Sequence, residues 1–155
     1  MRLLFVLGAG GHTTRGLLLS KQLDDEIYYM VPWESEITKR KVGSNYFSVI
    51  SPRFKAKDNR ILSVFRTMFL FMHSLFILLM IRPKKIISTG SGLTLPPFLI
   101  AGLLGIETVF IESPSRVYNP SIVGKFLLGK VDVWASSWLE MAENNSNIVY
   151  GGLIV

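Results

Sequence analysis

Five consecutive apolar residues, Leu3-Leu4-Phe5-Val6-Leu7, run without a spacer into Gly8-Ala9-Gly10-Gly11-His12, and a helix-like stretch, Thr13–Leu23, follows at once. A strand with no polar alternation reads as one buried on both faces, the pattern of a parallel sheet. Strand, glycine loop and helix in that order open a nucleotide- or phosphate-handling α/β domain. The glycines let backbone approach a ligand, and the helix N-terminus offers unpaired N–H groups and the positive end of a dipole. The histidine at the lip of the loop is the unusual part.

The rest of the chain repeats the alternation. Strands are expected at Ile27–Val31, Tyr46–Ile50, Lys85–Ser88, Glu107–Glu112 and Val131–Ala135, with a last apolar stretch at Ile148–Tyr150. Helical patterns fall between them: a short helix within Trp33–Asn45, a long one over Ile61–Ile81, one from Pro96-Pro97 to Leu104, and shorter ones at Ser121–Leu128 and Trp138–Asn144. Strands separated by helices imply βαβ units with right-handed crossovers. The expected fold is therefore α/β, a single Rossmann-like doubly wound parallel sheet, formed by residues 1–155 as one domain. A second glycine loop, Thr89-Gly90-Ser91-Gly92, follows the fourth strand. In a parallel sheet both loops lie at the C-terminal strand edge, where ligands bind, and two helix N-termini at one crevice suit a diphosphate.

Half of the composition is apolar (49% hydrophobic residues), and the mean hydropathy is +0.38, so some apolar surface is expected to face something other than water. A formal charge of +6 and a pI near 9.7 point to an anionic partner. Both properties converge on 52–82. A basic loop, 52–60, carries Arg53, Lys55, Lys57 and Arg60 against Asp58 alone, then the most apolar helix of the chain begins, and Arg82, Lys84 and Lys85 follow it. Its strongest run, Thr67–Ile81, is roughly 15 residues, about 22 Å as a helix against a hydrocarbon core of about 30 Å. A span would also put the strands before and after it on opposite sides of a bilayer. The helix is either a crossover buried on all sides or a two-faced one, with one face on the sheet and Phe65, Phe69, Met72 and Phe76 in a lipid interface. The flanking Lys55, Lys57 and Arg60 favour anionic membrane contact. Leu3–Leu7 is too short for a secretory segment, so the expected place is the cytoplasmic face of a membrane, peripherally attached.

Among candidate chemical groups, His12 is a general base beside a phosphate loop, or a residue bonding locally at a helix start. Glu112, at the end of the fifth strand, faces the same crevice, orienting His12 or binding a sugar hydroxyl, or else pairs with Arg116. Arg53 and Arg116 are phosphate ligands or solvated surface charges. The first loop matches a dinucleotide fingerprint only at Gly8 and Gly10, with Thr13 at the third glycine position; Glu34, the one acid placed for a ribose, stands among Lys39, Arg40 and Lys41. No His, Asp and Glu grouping has metal-ligand spacing and cysteine is absent, so no metal and no cofactor are expected. Basic residues without interleaved aromatics speak against nucleic acid.

Six segments occur in one order: GAGGH, Pro52-Arg53, STGSGLTLPP at 88–97, VFIESPSRV at 109–117, PSIVGK at 120–125 and Tyr150-Gly151-Gly152-Leu153. No one of them is specific, but the series resembles the membrane-anchor subunit family of the two-component N-acetylglucosaminyltransferase of dolichol-linked oligosaccharide synthesis, with its bacterial and archaeal relatives in polysaccharide synthesis. The resemblance covers essentially the whole chain. It implies the acceptor half of a split, inverting GT-B glycosyltransferase, comparable to the N-terminal lobe of MurG. It further implies a donor-binding partner subunit that holds most of the UDP-sugar, UDP-GlcNAc, and a polyprenyl-diphosphate-linked acceptor. His12 and Glu112 would be catalytic. Gly8, Gly10, Gly11, Thr13, Thr89, Gly90, Ser91, Gly92, Arg53 and Arg116 would hold the lipid diphosphate, and the apolar Leu153, Ile154 and Val155 would dock the partner. Eukaryotic members begin with a transmembrane anchor, whereas this chain begins at its first strand, so attachment is expected to rest on the basic loop and Ile61–Ile81. The other readings of the chain are a non-catalytic membrane adaptor and an NAD(P)-dependent reductase.

Overall fold

The computed structural model describes residues 1–8, 10–52 and 60–152. Arg53, Lys55 and Lys57 of the basic loop, the side chain of Arg60, and Leu153, Ile154 and Val155 lie outside the described residues. Among the described residues seven strands, β1 (Arg2–Val6), β2 (Glu26–Pro32), β3 (Tyr46–Val49), β4 (Lys85–Ser88), β5 (Glu107–Ile111), β6 (Val133–Ser136) and β7 (Val149–Tyr150), form one sheet in the order β3-β2-β1-β4-β5-β6-β7. Every pairing is parallel, for example Val6 opposite Met30 on one side and Ser88 on the other. The chain runs outward from β1 to β3, returns across the sheet, and runs outward again from β4, so the strand order reverses between β1 and β4. In open α/β sheets such a reversal opens a crevice beyond the C-terminal strand ends.

Among the described residues six α-helices connect the strands: α1 (Gly11–Ser20), α2 (Glu36–Val42), α3 (Arg60–Ile81), α4 (Leu95–Leu103), α5 (Ile122–Leu127) and α6 (Leu139–Glu143). One face of the sheet packs against α3, α4, α5 and α6 through Leu70, Ile77, Phe98, Leu127 and Met141. The other packs against α1 and α2 through Leu17, Leu19 and Val42. This two-sided cover is why Leu3 to Leu7 are all buried and why the sequence there shows no alternation. Element ends differ from the sequence expectation where side chains intervene. Helix α1 begins at Gly11, inside the glycine cluster, and β6 begins only at Val133. There the preceding Asp132 is taken up by Thr108, whose amide and hydroxyl both donate to Asp132 Oδ2 at 2.7 Å.

Helix α3 connects two strands of one sheet, and its last carbonyl, at Ile81, accepts from the Arg2 guanidinium at 3.1 Å. It is the one helix among the described residues long and apolar enough to cross a membrane by length and composition, yet it lies along the sheet through Leu70, Ile77, Leu78 and Ile81. Only 28% of the apolar stretch is buried, which removes the reading of a crossover helix covered on all sides. Its outward face reverses the ordinary surface pattern. Phe65, Phe69, Met72 and Phe76 are 64%, 54%, 69% and 65% exposed, whereas Ser74 is fully buried and Arg66 and His73 are half-buried.

Candidate active site at the reversal of strand order

Both glycine loops leave neighbouring strands, β1 and β4, so they meet at the crevice. Their contact is close: a Cβ on Gly8 would stand 2.7 Å from Ser91 Oγ, so only glycine lets the second loop pass over the first. Gly90 has φ +91, a left-handed backbone, and sits with its Cβ position 3.5 Å from the His12 ring. Two reciprocal bonds join the loops. Thr89 Oγ1 donates to the His12 carbonyl at 2.7 Å, and the Thr89 carbonyl lies 2.7 Å from His12 Nδ1. A carbonyl only accepts, so Nδ1 carries a proton, which fixes the tautomer whose lone pair stands at Nε2. Half-buried at the start of α1, His12 is thus held in one tautomer by a residue 77 positions away. The expectation that Glu112 orients the ring gives way to Thr89.

The structure sorts the remaining loop residues into builders and facing groups. Thr13, Thr89 and Ser91, expected among the ligand contacts, are buried with their hydroxyls engaged internally: Thr13 donates to the Gly8 carbonyl at 2.5 Å, Thr89 to His12, and Ser91 Oγ accepts from the Leu93 amide at 3.1 Å. That last bond corrects the picture of two open helix N-termini. The turn Gly92–Thr94 that leads into α4 is capped by its own Ser91, whereas α1 has Gly10 at its N-cap position and no side-chain cap. Gly10, Gly11 and Gly92 are exposed, Gly90 and His12 half-buried. Of the two helix starts, the α1 one therefore has no side chain capping its positive dipole end.

Glu112 ends up elsewhere than on Arg116. Its side chain is 1% exposed, Oε1 accepts from the Ser113 amide at 2.8 Å, and Oε2 accepts from the Ser121 amide at 2.8 Å and the Ser121 hydroxyl at 2.9 Å. One carboxylate thereby closes both ends of the loop 113–120, while Ser121 Oγ also caps α5 by accepting from the Gly124 amide at 3.0 Å. Arg116 is exposed near the tip of that loop.

Sequence reasoning missed Arg15. One turn after His12 on α1, it donates to the Glu112 carbonyl at 3.3 Å and to Ser137 Oγ at 3.2 Å, tying the first glycine loop's helix to the ends of β5 and β6. Burial holds its pKa below the ordinary guanidinium value. Trp138 adds a further tether, its indole donating to the Pro114 carbonyl at 2.7 Å. The available signal was a lone cation in the opening turns of a helix, against the dipole, with no acid in the first turn.

A doubly wound parallel sheet of this order is the fold of one lobe of a two-lobed GT-B protein. The structure matches MurG from Acinetobacter baumannii with a TM-score of 0.74 at 13% identity, over 90% of this chain and 42% of that one, a likeness of fold. The family model "Oligosaccharide biosynthesis protein Alg14 like" matches residues 3–154, and the chain belongs to that family of glycosyltransferase subunits. The UDP-N-acetylglucosamine transferase subunit ALG14 of Mus musculus is 28% identical over 181 residues, covering 100% of this chain and 83% of the mouse protein. The UDP-N-acetylglucosamine–N-acetylmuramyl-(pentapeptide) pyrophosphoryl-undecaprenol N-acetylglucosamine transferase of Streptococcus equi subsp. equi is 30% identical over 115 residues, covering 68% of this chain and 32% of that protein. The chain thus spans most of ALG14 but under half of the MurG structure.

Proposed function

We propose that this chain is the membrane-bound, acceptor-binding subunit of a split inverting glycosyltransferase. It helps move GlcNAc from UDP-GlcNAc, held mainly by a donor-binding partner, to a sugar hydroxyl on a polyprenyl diphosphate. The observation that carries the reading is His12: Nδ1 is tied to the Thr89 carbonyl of the second glycine loop, and Nε2 makes no hydrogen bond among the described residues. Nε2 takes the acceptor's proton, the acceptor oxygen attacks the anomeric carbon, UDP leaves, and the configuration inverts. The exposed backbone of Gly10, Gly11 and Gly92 and the open end of α1 serve the diphosphate, with Arg53 and Arg116 as charged neighbours. Glu112 and Arg15 act through the loop 113–120, which they hold against α1.

The apolar outer face of α3 supports attachment to the cytoplasmic surface of a membrane, with Lys55, Lys57 and Arg60 meeting anionic headgroups. Leu153, Ile154 and Val155 serve partner docking. The test is transfer from UDP-GlcNAc to a polyprenyl-diphosphate sugar by the chain with and without a donor-lobe protein. Turnover only with both proteins is expected, and full turnover by the isolated chain would overturn the split-enzyme reading.

A further inference from the structure

Glu34, the acid that the sequence places for a sugar diol, stands in the turn that follows β2. Trp33 and Glu34 are the central residues of that turn, closed by the Ser35 amide donating to the Pro32 carbonyl at 3.0 Å. Its base is fixed to β3, where the Trp33 amide donates to the Val49 carbonyl at 2.8 Å. Glu34 is half-buried, and its Oε2 is shut away from solvent without a hydrogen-bond donor among the described residues. The side-chain donors that follow it in the chain are engaged elsewhere. The Ser35 hydroxyl is 2.6 Å from that of Thr38, and Lys39 Nζ donates to Glu36 Oε1 at 2.7 Å. A buried carboxylate oxygen without a donor costs stability, and such an oxygen marks an acceptor kept for a group from outside the chain.

Its position says which group. Strands β1 and β2 pair in parallel with Val6 opposite Met30, so β2 ends beside Gly8, one strand spacing of about 4.8 Å away. Hydroxyls join the two ends: Thr38 Oγ1 lies 3.4 Å from Thr13 Oγ1, which donates to the Gly8 carbonyl. Glu34 therefore flanks the first glycine loop on the β2 side, as the second loop flanks it on the β4 side. A carboxylate in this place accepts hydroxyls of a sugar whose diphosphate lies on the loop, because the covalent linkage sets the distance between them. Trp33, next to it, is 54% exposed. An indole face beside a carboxylate suits a pyranose, which has C–H groups on its face and hydroxyls at its rim. We infer that Glu34 is the specificity-determining residue for the acceptor's phosphate-linked sugar, accepting a ring hydroxyl that does not react. His12 takes the proton of the reacting hydroxyl, and Glu34 holds another. The inference rests on the transferase reading above and names the residue that reads the acceptor sugar within it.

The experiment measures, by calorimetry on the full chain, the affinity for farnesyl diphosphate, for the same compound carrying GlcNAc on its diphosphate, and for UDP. Wild type should bind the sugar-bearing probe at least about tenfold more tightly than farnesyl diphosphate. Glu34→Gln should cut that preference to less than about threefold by weakening the sugar-bearing probe alone. Its Tm should stay within about 2 °C of wild type, because no internal bond is lost. A preference that survives Glu34→Gln, equal weakening of both farnesyl probes, or a Tm fall above about 4 °C would overturn the assignment. So would a loss confined to UDP, which would give the carboxylate to a nucleotide ribose. Sugar transfer by the two-protein complex, together with no preference between the farnesyl probes, would sink the assignment and leave the transferase reading standing. A preference that Glu34→Gln removes, with no transfer by any complex, would do the reverse.

Discussion

Replacing Glu112 by Gln separates two uses of one carboxylate. Its Oε1 accepts one amide and Oε2 accepts an amide and a hydroxyl, all within 2.8–2.9 Å. A carboxamide has one accepting oxygen and a donating NH2. Its best placement keeps both Ser121 bonds and sets N–H against N–H at Ser113. A hydrogen bond to a charged acceptor contributes about 1.5–3 kcal/mol, so stability should fall by about 2 kcal/mol. For a chain of this size each kcal/mol moves Tm by about 2–4 °C, which gives a drop of about 4–8 °C. Glu112→Gln is assayed by thermal melting and by steady-state transfer in the two-protein complex, well below the lowered Tm. A carboxylate that holds the loop leaves kcat within about tenfold and shifts mainly KM. A carboxylate that moves a proton in the reaction forfeits about 10²–10⁴ in kcat. A kcat loss above a hundredfold with an unchanged Tm would refute the reasoning and restore Glu112 as a catalytic group.

Thr89→Val keeps the volume and the backbone carbonyl on Nδ1 but deletes the bond to the His12 carbonyl, so Tm should fall by about 2–4 °C for about 1 kcal/mol, with kcat down less than tenfold; a collapse of kcat would mean that the hydroxyl itself does chemistry. The Thr108 amide and hydroxyl hold Asp132 below its ordinary value of 3.8, so its contribution is present above that pH and is lost as pH falls through the lower folded-state value. The Tm advantage of wild type over Asp132→Asn should therefore shrink between pH 4 and pH 2, and a difference constant from pH 7 to pH 2 would contradict this. Phe65→Ser with Phe69→Ser removes two exposed rings from α3, and flotation with anionic vesicles should weaken about tenfold or more. Unchanged flotation would remove α3 as the contact face.

What could be read in the sequence follows from how local each feature is. Strands β1 and β4 to β6 are covered on both faces, so their apolar runs were visible directly, and glycine loops marked the ends of β1 and β4. Helix α3 was legible as a helix, but periodicity alone does not say which side of a helix meets the sheet. Here Ser74 turns inward while Phe65, Phe69 and Phe76 face out. The site itself depends on contacts between distant residues. His12 meets Thr89 only because β1 and β4 are neighbours, and Arg15 reaches Glu112 across 97 positions. Two acids at strand ends look alike in sequence; the three donors around Glu112 distinguish it, and these come from Ser113 and from Ser121 beyond the loop.

The central claim is that the joined glycine loops hold His12 as the base. Its most direct measurement is the single-turnover rate of sugar transfer by the two-protein complex carrying His12→Ala, at saturating acceptor and with complex formation and vesicle binding verified. General-base catalysis contributes about 10²–10⁴, so the rate should fall at least a hundredfold while acceptor affinity changes little. A rate within threefold of wild type would contradict the account and leave the chain as a scaffold for its partner's chemistry.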